Sequence, residues 1–186
     1  MFLVDRLIGF ASPAAALRQA IRLSGQRRFA EAFPLLTHAA KAGLPDAEYR
    51  VARCYLEGAG VPSSQAEGVR WLQRAASHGC IEAQPRLAAL CVHGLAGAAS
   101  GDPADGAPRA QALFAPDVPA EPDFASAMKW ARQGAEGGSA EGEAMLGYIL
   151  TCGPEDMRDL EEAHRCYERS AAAGCPEGSL GYALSL

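Results

Sequence analysis

Residues 47–79 read AEYRVARCYLEGAGVPSSQAEGVRWLQRAASHG, and this stretch decides the fold. Ala47, Val51 and Tyr55 recur every four residues, so they form one apolar stripe at helical spacing. Gly58 follows the stripe, and glycine ends a helix readily because it tolerates the left-handed conformation there. The pattern predicts a first helix, helix A, that stops just before this glycine.

A second helix, helix B, follows a short polar turn. The turn at residues 62–64 contains serines, and a serine side chain caps the start of a helix. Helix B is expected to run to about Ser77, and Gly79 ends it. Ala75 and Ala76 lie on its buried face, where small side chains let a neighbouring helix approach closely. A leucine there would overpack the contact and cost about 1–3 kcal/mol.

This helix pair belongs to a repeat of 36 residues. Nine residue pairs match at that shift: Leu35 with Trp71, Leu36 with Leu72, Ala39 with Ala75, Ala40 with Ala76, Gly43 with Gly79, Ala47 with Ala83, Val51 with Leu87, Ala52 with Ala88, and Gly58 with Gly94. The shift recurs nearer the C-terminus, where it pairs Ala135 with Ala171, Gly138 with Gly174 and Gly142 with Gly178. A shift of 59 joins the two parts and maps Trp71 onto Trp130, so one loop carries 23 extra residues.

The extra residues lie within residues 95–123, which contain five prolines and three glycines, a composition typical of a linker. The sequence is therefore predicted to divide into a capping helix, four helix-pair units and the start of a fifth. Their residues are 1–12 for the cap, 13–43 for a degenerate first unit, 44–79, 80–138 with the insertion, 139–174, and 175–186 for the incomplete unit.

The helix pair at residues 44–79 resembles the Sel-one-like repeat (SLR) family, which is related to the tetratricopeptide repeats. The resemblance is carried by Ala47, Val51, Ala52, Tyr55, Gly58, Gly60, Val61, Trp71, Ala75, Ala76 and Gly79. Cys91 and Leu150 stand in the tyrosine slot of later units, and residues 20–43 resemble a tetratricopeptide-like unit with a shorter turn. The resemblance implies an all-α fold, a right-handed superhelical α/α solenoid of antiparallel helix pairs with the A helices on its concave face. It also implies an adaptor that holds partner proteins together.

Composition and charge narrow the function classes. The net charge of −5 disfavours generic nucleic-acid binding, although residues 1–53 carry +4 and the remainder −9. No stretch reaches 18 apolar residues, so no membrane span is expected. The start lacks the basic-then-apolar order of a secretory signal, so we expect a cytoplasmic protein. Fifteen arginines against two lysines suggest a bacterial source.

Neither catalysis nor a cofactor or metal is predicted. The sequence contains no G-x-S-x-G, phosphate loop or H-E-x-x-H motif. His78, Cys80, Cys91 and His93 are residue types that bind zinc, but a helix separates the two halves by about 15 Å. The six cysteines form no C-x-x-C pair and no disulfide framework, so free and mostly buried thiols are expected.

The predicted binding residues lie on helices A, away from the core stripe, where the resemblance implies the concave face. They are Tyr49, Arg53, Glu57, Ala89, His93 and Tyr148. Tyrosine and arginine are common anchors of protein interfaces, so the expected partner is another protein or peptide. The alternative is that each of these residues is an ordinary surface residue.

The last residues, 178–186, read as the start of a further helix A with an apolar character. An apolar terminal repeat predicts that the native chain continues, or that this helix packs against a partner or a second copy. The leading hypothesis is an adaptor; the alternatives are a repeat module of a larger bacterial envelope- or secretion-associated protein and, least favoured, a small hydrolase.

Overall fold

The computed structural model describes residues 12–98 and 122–186. The expected capping helix at 1–12 and most of the expected insertion at 95–123 lie outside the described residues. The described residues form nine α-helices, one 3₁₀ turn and no strand. They are α1 (Pro13–Gly25), α2 (Phe29–Lys41), α3 (Pro45–Glu57), α4 (Gln65–Ser77), α5 (Ala83–Ala98), α6 (Phe124–Glu136), α7 (Ala140–Cys152), the 3₁₀ turn Glu155–Met157, α8 (Leu160–Ala172) and α9 (Pro176–Leu184).

The chain divides after Cys80 into two compact units. In the first unit, α1 to α4 pack in sequence order, each against the next. In the second unit, α5 to α9 do the same, and α7 also packs against α5. The helices α3, α5, α7 and α9 occupy the positions predicted for helix A, and α4, α6 and α8 those predicted for helix B. Outside the α5–α6 pair, which carries the insertion, short connections between consecutive packed helices make each pair antiparallel.

The same backbone hydrogen bond closes all three A–B pairs. In each, the residue that precedes helix B donates its N–H to the carbonyl of the tyrosine slot in helix A: Ser64 to Tyr55 at 2.9 Å, Asp123 to Cys91 at 2.8 Å, and Asp159 to Leu150 at 3.1 Å. We call this bond the pair clamp. Since it uses backbone atoms only, it survives the replacement of tyrosine by cysteine or leucine.

The residues that close the pair clamp also cap helix B with their side chains. Ser64 accepts a hydrogen bond from the N–H of Glu67 at 3.4 Å, as the serine turn suggested. Asp123 and Asp159 act on Ser126 and Glu162 in the same way, at 3.0 and 2.9 Å. Hydrogen bonds from Ser126 hold the pKa of Asp123 below its usual range, so this cap is charged at neutral pH.

The pair clamp of Cys91 and Asp123 ties together the two ends of the long insertion. Between them, α5 breaks at Gly94, whose φ and ψ are 66° and 163°, and then continues to Ala98. Residues 95–98, at the start of the window predicted to hold the insertion, are therefore helical. Leucine and alanine are strong helix formers, so their propensity prevails over the break for one further turn.

Small side chains fill the contacts between helices. Ala39, Ala47 and Ala75 are all fully buried, and Ala76 is nearly so. At Gly142 the approach is closer still, because a Cβ atom there would lie 2.7 Å from backbone atoms of α6. The helices therefore approach closely, as the repeated alanines predicted.

An ion pair joins helix A to helix B in two of the three pairs. Glu48 is fully buried, with Oε1 2.6 Å from Arg74 Nε and Oε2 2.8 Å from His78 Nδ1. The arginine contact is one of charge, since no donor is aligned on Oε1 for a hydrogen bond. Glu143 and Arg169, 95 residues further on, form the equivalent pair at 2.8 Å.

Glutamines replace both members of this ion pair in the α5–α6 pair. Gln84 follows Glu48 by one repeat, and Gln133 follows Arg74 by the shift of 59. Gln84 is buried, and its Oε1 has no hydrogen-bond partner among the residues that the structure describes. The pair that carries the insertion therefore lacks the charged link of its neighbours.

Replacement of Gly60 by alanine is expected to destabilise the first unit by about 3 kcal/mol or more. Its φ is +81°, and an added Cβ would lie 2.5 Å from the carbonyl carbon of Phe29, a backbone atom that cannot rotate away. Gly79→Ala is the control, since its φ is +84° but its Cβ would meet nothing within 4 Å, and a loss of only about 1 kcal/mol is expected. Urea unfolding of both variants measures the difference; equal losses would contradict the close contact.

Loss of the arginine should be more destabilising at Arg74 than at Arg169, because Glu48 has no exposed surface whereas Glu143 is 15% exposed. We expect about 2 kcal/mol for Arg74→Met and about 1 kcal/mol for Arg169→Met. Arg165→Met, an exposed site on the same helix as Arg169, should change stability by less than about 0.5 kcal/mol. Denaturant unfolding ranks the three, and the reverse order of the first two would refute the role of burial.

Candidate functional site

The second unit contains a groove of about 860 Å³. The three A helices of this unit, α5, α7 and α9, line it, with α8 behind them. Helix α7 lies in the middle, because it packs against both α5 and α9. We call this cavity the A-helix groove.

The floor and walls of the A-helix groove are mainly apolar. Helix α7 contributes Met145 and Tyr148, and α9 contributes Leu180 and Leu184. Tyr148 is 38% exposed, Leu180 64% and Leu184 80%, so large apolar side chains face solvent here. Contiguous exposed apolar surface of this kind marks sites of interaction in proteins.

Tyr167 of α8 forms the back of the groove and is itself buried. Its ring fills the space left by two glycines: a Cβ at Gly147 would lie 2.8 Å from the ring, and one at Gly181 would overlap it more severely. Burial raises the pKa of the Tyr167 hydroxyl, while a hydrogen bond with Thr151 opposes that shift. The phenol is therefore neutral at physiological pH and serves to fix the spacing of α7 and α9.

Charged groups of the groove lie at the N-terminal ends of the A helices. Glu141 stands in the first turn of α7 and Glu177 in the first turn of α9, and both are exposed. Arg86 on α5 is the one arginine among the residues that line the groove. Glu177 accepts a hydrogen bond from the Cys175 thiol at 3.2 Å. The lining is therefore apolar in the middle and holds two carboxylates and one guanidinium at the N-terminal ends of its helices.

The structure brings two of the residues predicted for partner binding to this groove. Ala89 of α5 and Tyr148 of α7 both line it. His93, also on α5, is exposed but is not among the groove's lining residues in the described chain. Whether these residues contact a partner stays a prediction.

The other three predicted residues share helix α3 of the first unit. Arg53 and Glu57 are exposed and form an ion pair of 2.9 Å with each other. That hydrogen bond raises the pKa of Arg53. Tyr49 is half-buried one turn before Arg53. They form a polar surface on one helix and not a cavity.

Five of the six cysteines are buried, and Cys152 is exposed at the end of α7, where it lines the groove. Burial raises the pKa of Cys91 and of Cys166 to about 11, so both remain thiols at neutral pH. His78, considered above as a zinc ligand, lies against Glu48 instead. No cluster of three or more potential metal ligands occurs within residues 12–98 and 122–186.

Sequence reasoning missed several residues that shape the groove. Tyr167 falls in the slot of Leu72, a core position, and its role depends on glycines of two other helices. Leu180 and Leu184 were recognised as apolar but not as the wall of a cavity. The spacing of Gly147 and Gly181 on successive A helices was the available signal, although it has no meaning until their packing is known.

A comparison with protein families identifies the chain. The Sel1 repeat model matches residues 45–80, 112–139 and 140–175, together more than half of the sequence. The chain therefore belongs to the Sel1 repeat family, and the resemblance drawn from the sequence is confirmed. Sel1 repeat proteins are generally non-catalytic scaffolds for protein–protein interaction.

Similar proteins agree with this assignment. An uncharacterized protein of Neisseria meningitidis serogroup B is 29% identical over 176 residues, which cover 89% of this chain and 37% of that protein. A protective antigen present in uropathogenic Escherichia coli strains, which displays an SLR fold, has a TM-score of 0.73 at 20% identity, covering 93% of this chain and 33% of that one. A Sel1 repeat protein from Oxalobacter formigenes also gives 0.73 at 20% identity, covering 94% and 62%.

These structures confirm the predicted fold class, an all-α helical-repeat solenoid. The chain spans less than two thirds of the length of each of these relatives. Within the described residues, no helix has both the length and the apolar character needed to cross a bilayer.

One thiol should react much faster than the others in the folded protein. Cys152 is exposed, whereas Cys91 and Cys166 are buried and their pKa of about 11 leaves about one molecule in a thousand as thiolate at pH 8. Titration with a thiol-specific disulfide reagent should show one fast equivalent, absent in Cys152→Ser, and five more after denaturation. Several fast equivalents in the folded chain would contradict the burial described here.

Proposed function

We propose that this chain is a protein-interaction scaffold that binds a segment of a partner protein in the A-helix groove. The observation that carries the proposal is the groove itself, about 860 Å³, lined by three A helices, with exposed tyrosine and leucine side chains on α7 and α9. Its volume lies in the range of about 300–1,000 Å³ found for ligand sites. Helical-repeat proteins commonly engage partners through the surface formed by equivalent helices.

Tyr148 is the proposed anchor of the bound segment. It lies on the central helix, and its ring combines apolar area with a hydroxyl group, a combination enriched at interface hot spots. Ala89 holds the same repeat position on α5, and its small side chain leaves room in the groove. The surface of Tyr49, Arg53 and Glu57 on α3 remains a second proposed contact for the same partner.

A second candidate is a repeat module of a larger bacterial envelope- or secretion-associated protein. It is favoured by the greater length of the relatives, since this chain covers 37% of the Neisseria protein and 33% of the Escherichia coli antigen. The length of the native reading frame tests it. The cytoplasmic location and the bacterial source suggested by the sequence also stay predictions.

Tyr148→Ala should weaken partner binding by about 2 kcal/mol, roughly thirtyfold in Kd, because truncation removes an anchor from the centre of the site. Partners captured from a cell extract by the wild-type chain are identified, and their affinities for purified variants are measured. Ile81→Ala is the matched control, since Ile81 is 40% exposed and lies outside the groove lining.

A variant with alanine at both Tyr49 and Arg53 tests the surface of α3 separately. Attachment of a bulky maleimide to Cys152, at the groove wall, should block binding to the same degree as loss of Tyr148. Affinities unchanged by both Tyr148→Ala and the Cys152 adduct would exclude the groove as the binding site.

A further inference from the structure

An acidic residue stands at the same place near the start of every A helix. The repeat aligns Asp46, Glu82, Glu141 and Glu177. Each lies within or just before the first helical turn, where a negative charge stabilises the helix through its dipole. That general role explains why all four are acidic, but not how their surroundings differ.

The residue four positions further on is an arginine in the first two of these A helices and uncharged in the last two. Arg50 follows Asp46 and pairs with it at 2.9 Å, and Arg86 holds the same position after Glu82. After Glu141 and Glu177 this position is filled by Met145 and Gly181, which carry no charge.

In the part of the chain that the structure describes, neither Glu141 nor Glu177 forms a salt bridge. Both carboxylates line the A-helix groove. Met145 and Gly181, the uncharged residues at the arginine position, line it too, so Arg86 of α5 is the one cationic side chain in the lining.

The second unit as a whole is also acidic. Residues 81–186 contain seven Lys and Arg against sixteen Asp and Glu, a net charge of −9, whereas residues 1–80 contain ten and six, a net charge of +4. Hydrogen bonds from its own backbone N–H and from the Cys175 thiol hold the pKa of Glu177 below its usual range, so this carboxylate is charged at neutral pH.

Resting on the function proposed above, we infer that the segment bound in the A-helix groove is a cationic amphipathic peptide of a partner protein. Its apolar side covers Tyr148 and Leu180, and its lysine or arginine side chains lie along one edge, beside Glu141 and Glu177. The occupant supplies the positive charges that Arg50 supplies to Asp46 within the first unit. An acidic segment would meet like charges at that edge, and a neutral one would desolvate the carboxylates without pairing them.

Two synthetic peptides of about 18 residues, long enough to form helices, test this inference. They share one leucine face and carry either lysine or glutamate on the polar face. Binding to the full chain is measured by fluorescence anisotropy. The lysine peptide should bind about tenfold more tightly than the glutamate peptide, and the preference should shrink in about 0.5 M salt.

The variant E141Q/E177Q should lower the preference for lysine to about threefold or less, because it removes both carboxylates with little change in shape. E155Q/E168Q is the matched control, since it removes two exposed charges outside the groove lining and should keep the preference. The reversed variant E141K/E177K should favour the glutamate peptide.

The outcomes separate this inference from the proposed function. If both peptides bind equally and Tyr148→Ala weakens both, the groove binds peptides but the inference about charge is wrong. If neither peptide binds, the inference is wrong, and the proposed function is decided by partner capture and its dependence on Tyr148. A lysine preference that E141Q/E177Q and E155Q/E168Q reduce equally would reveal general attraction to an acidic surface and would overturn the inference. So would a wild-type dimer that only E141Q/E177Q dissociates, because a second copy would then be the occupant.

Discussion

Close approach of helix backbones is the constraint on which the rest of this structure depends. Alanine and glycine occupy the contacts between successive helices, and at Gly142 even one additional carbon atom would collide with the neighbouring backbone. Small side chains bury little apolar area each, so each contact contributes little to the free energy of unfolding. The stability of the fold is therefore the sum of many such contacts. The geometry that results is regular, because backbones in contact leave little freedom for a helix to shift.

Polar links set the register that small side chains alone would leave weakly defined. The pair clamp fixes the end of helix A to the start of helix B, and the ion pair of Glu48 with Arg74 fixes the opposite ends. In the α3–α4 and α7–α8 pairs, helix A is therefore held at both ends. Three A helices side by side in the second unit line the A-helix groove, which no single repeat could form.

The sequence predicted the helix pairs well because their signals are local. A glycine after the apolar stripe, a serine or aspartate before helix B, and a pair of alanines each act within one or two turns. The groove could not be predicted to the same degree. Its back wall depends on Tyr167 entering the gaps at Gly147 and Gly181, which are far apart in sequence and belong to different helices.

Because Cys91 and Asp123 are hydrogen-bonded to each other, the packing of α5 against α6 does not depend on the length of the loop between them. The chain leaves and re-enters the α5–α6 pair at two points that are bonded to each other, just as in the pairs with short turns. Lengthening a loop between fixed ends adds only about 0.6 kcal/mol of closure entropy for each doubling. We therefore expect this connection to tolerate insertions. An epitope, a fluorescent domain or a second recognition module can be inserted there while the helices keep their spacing.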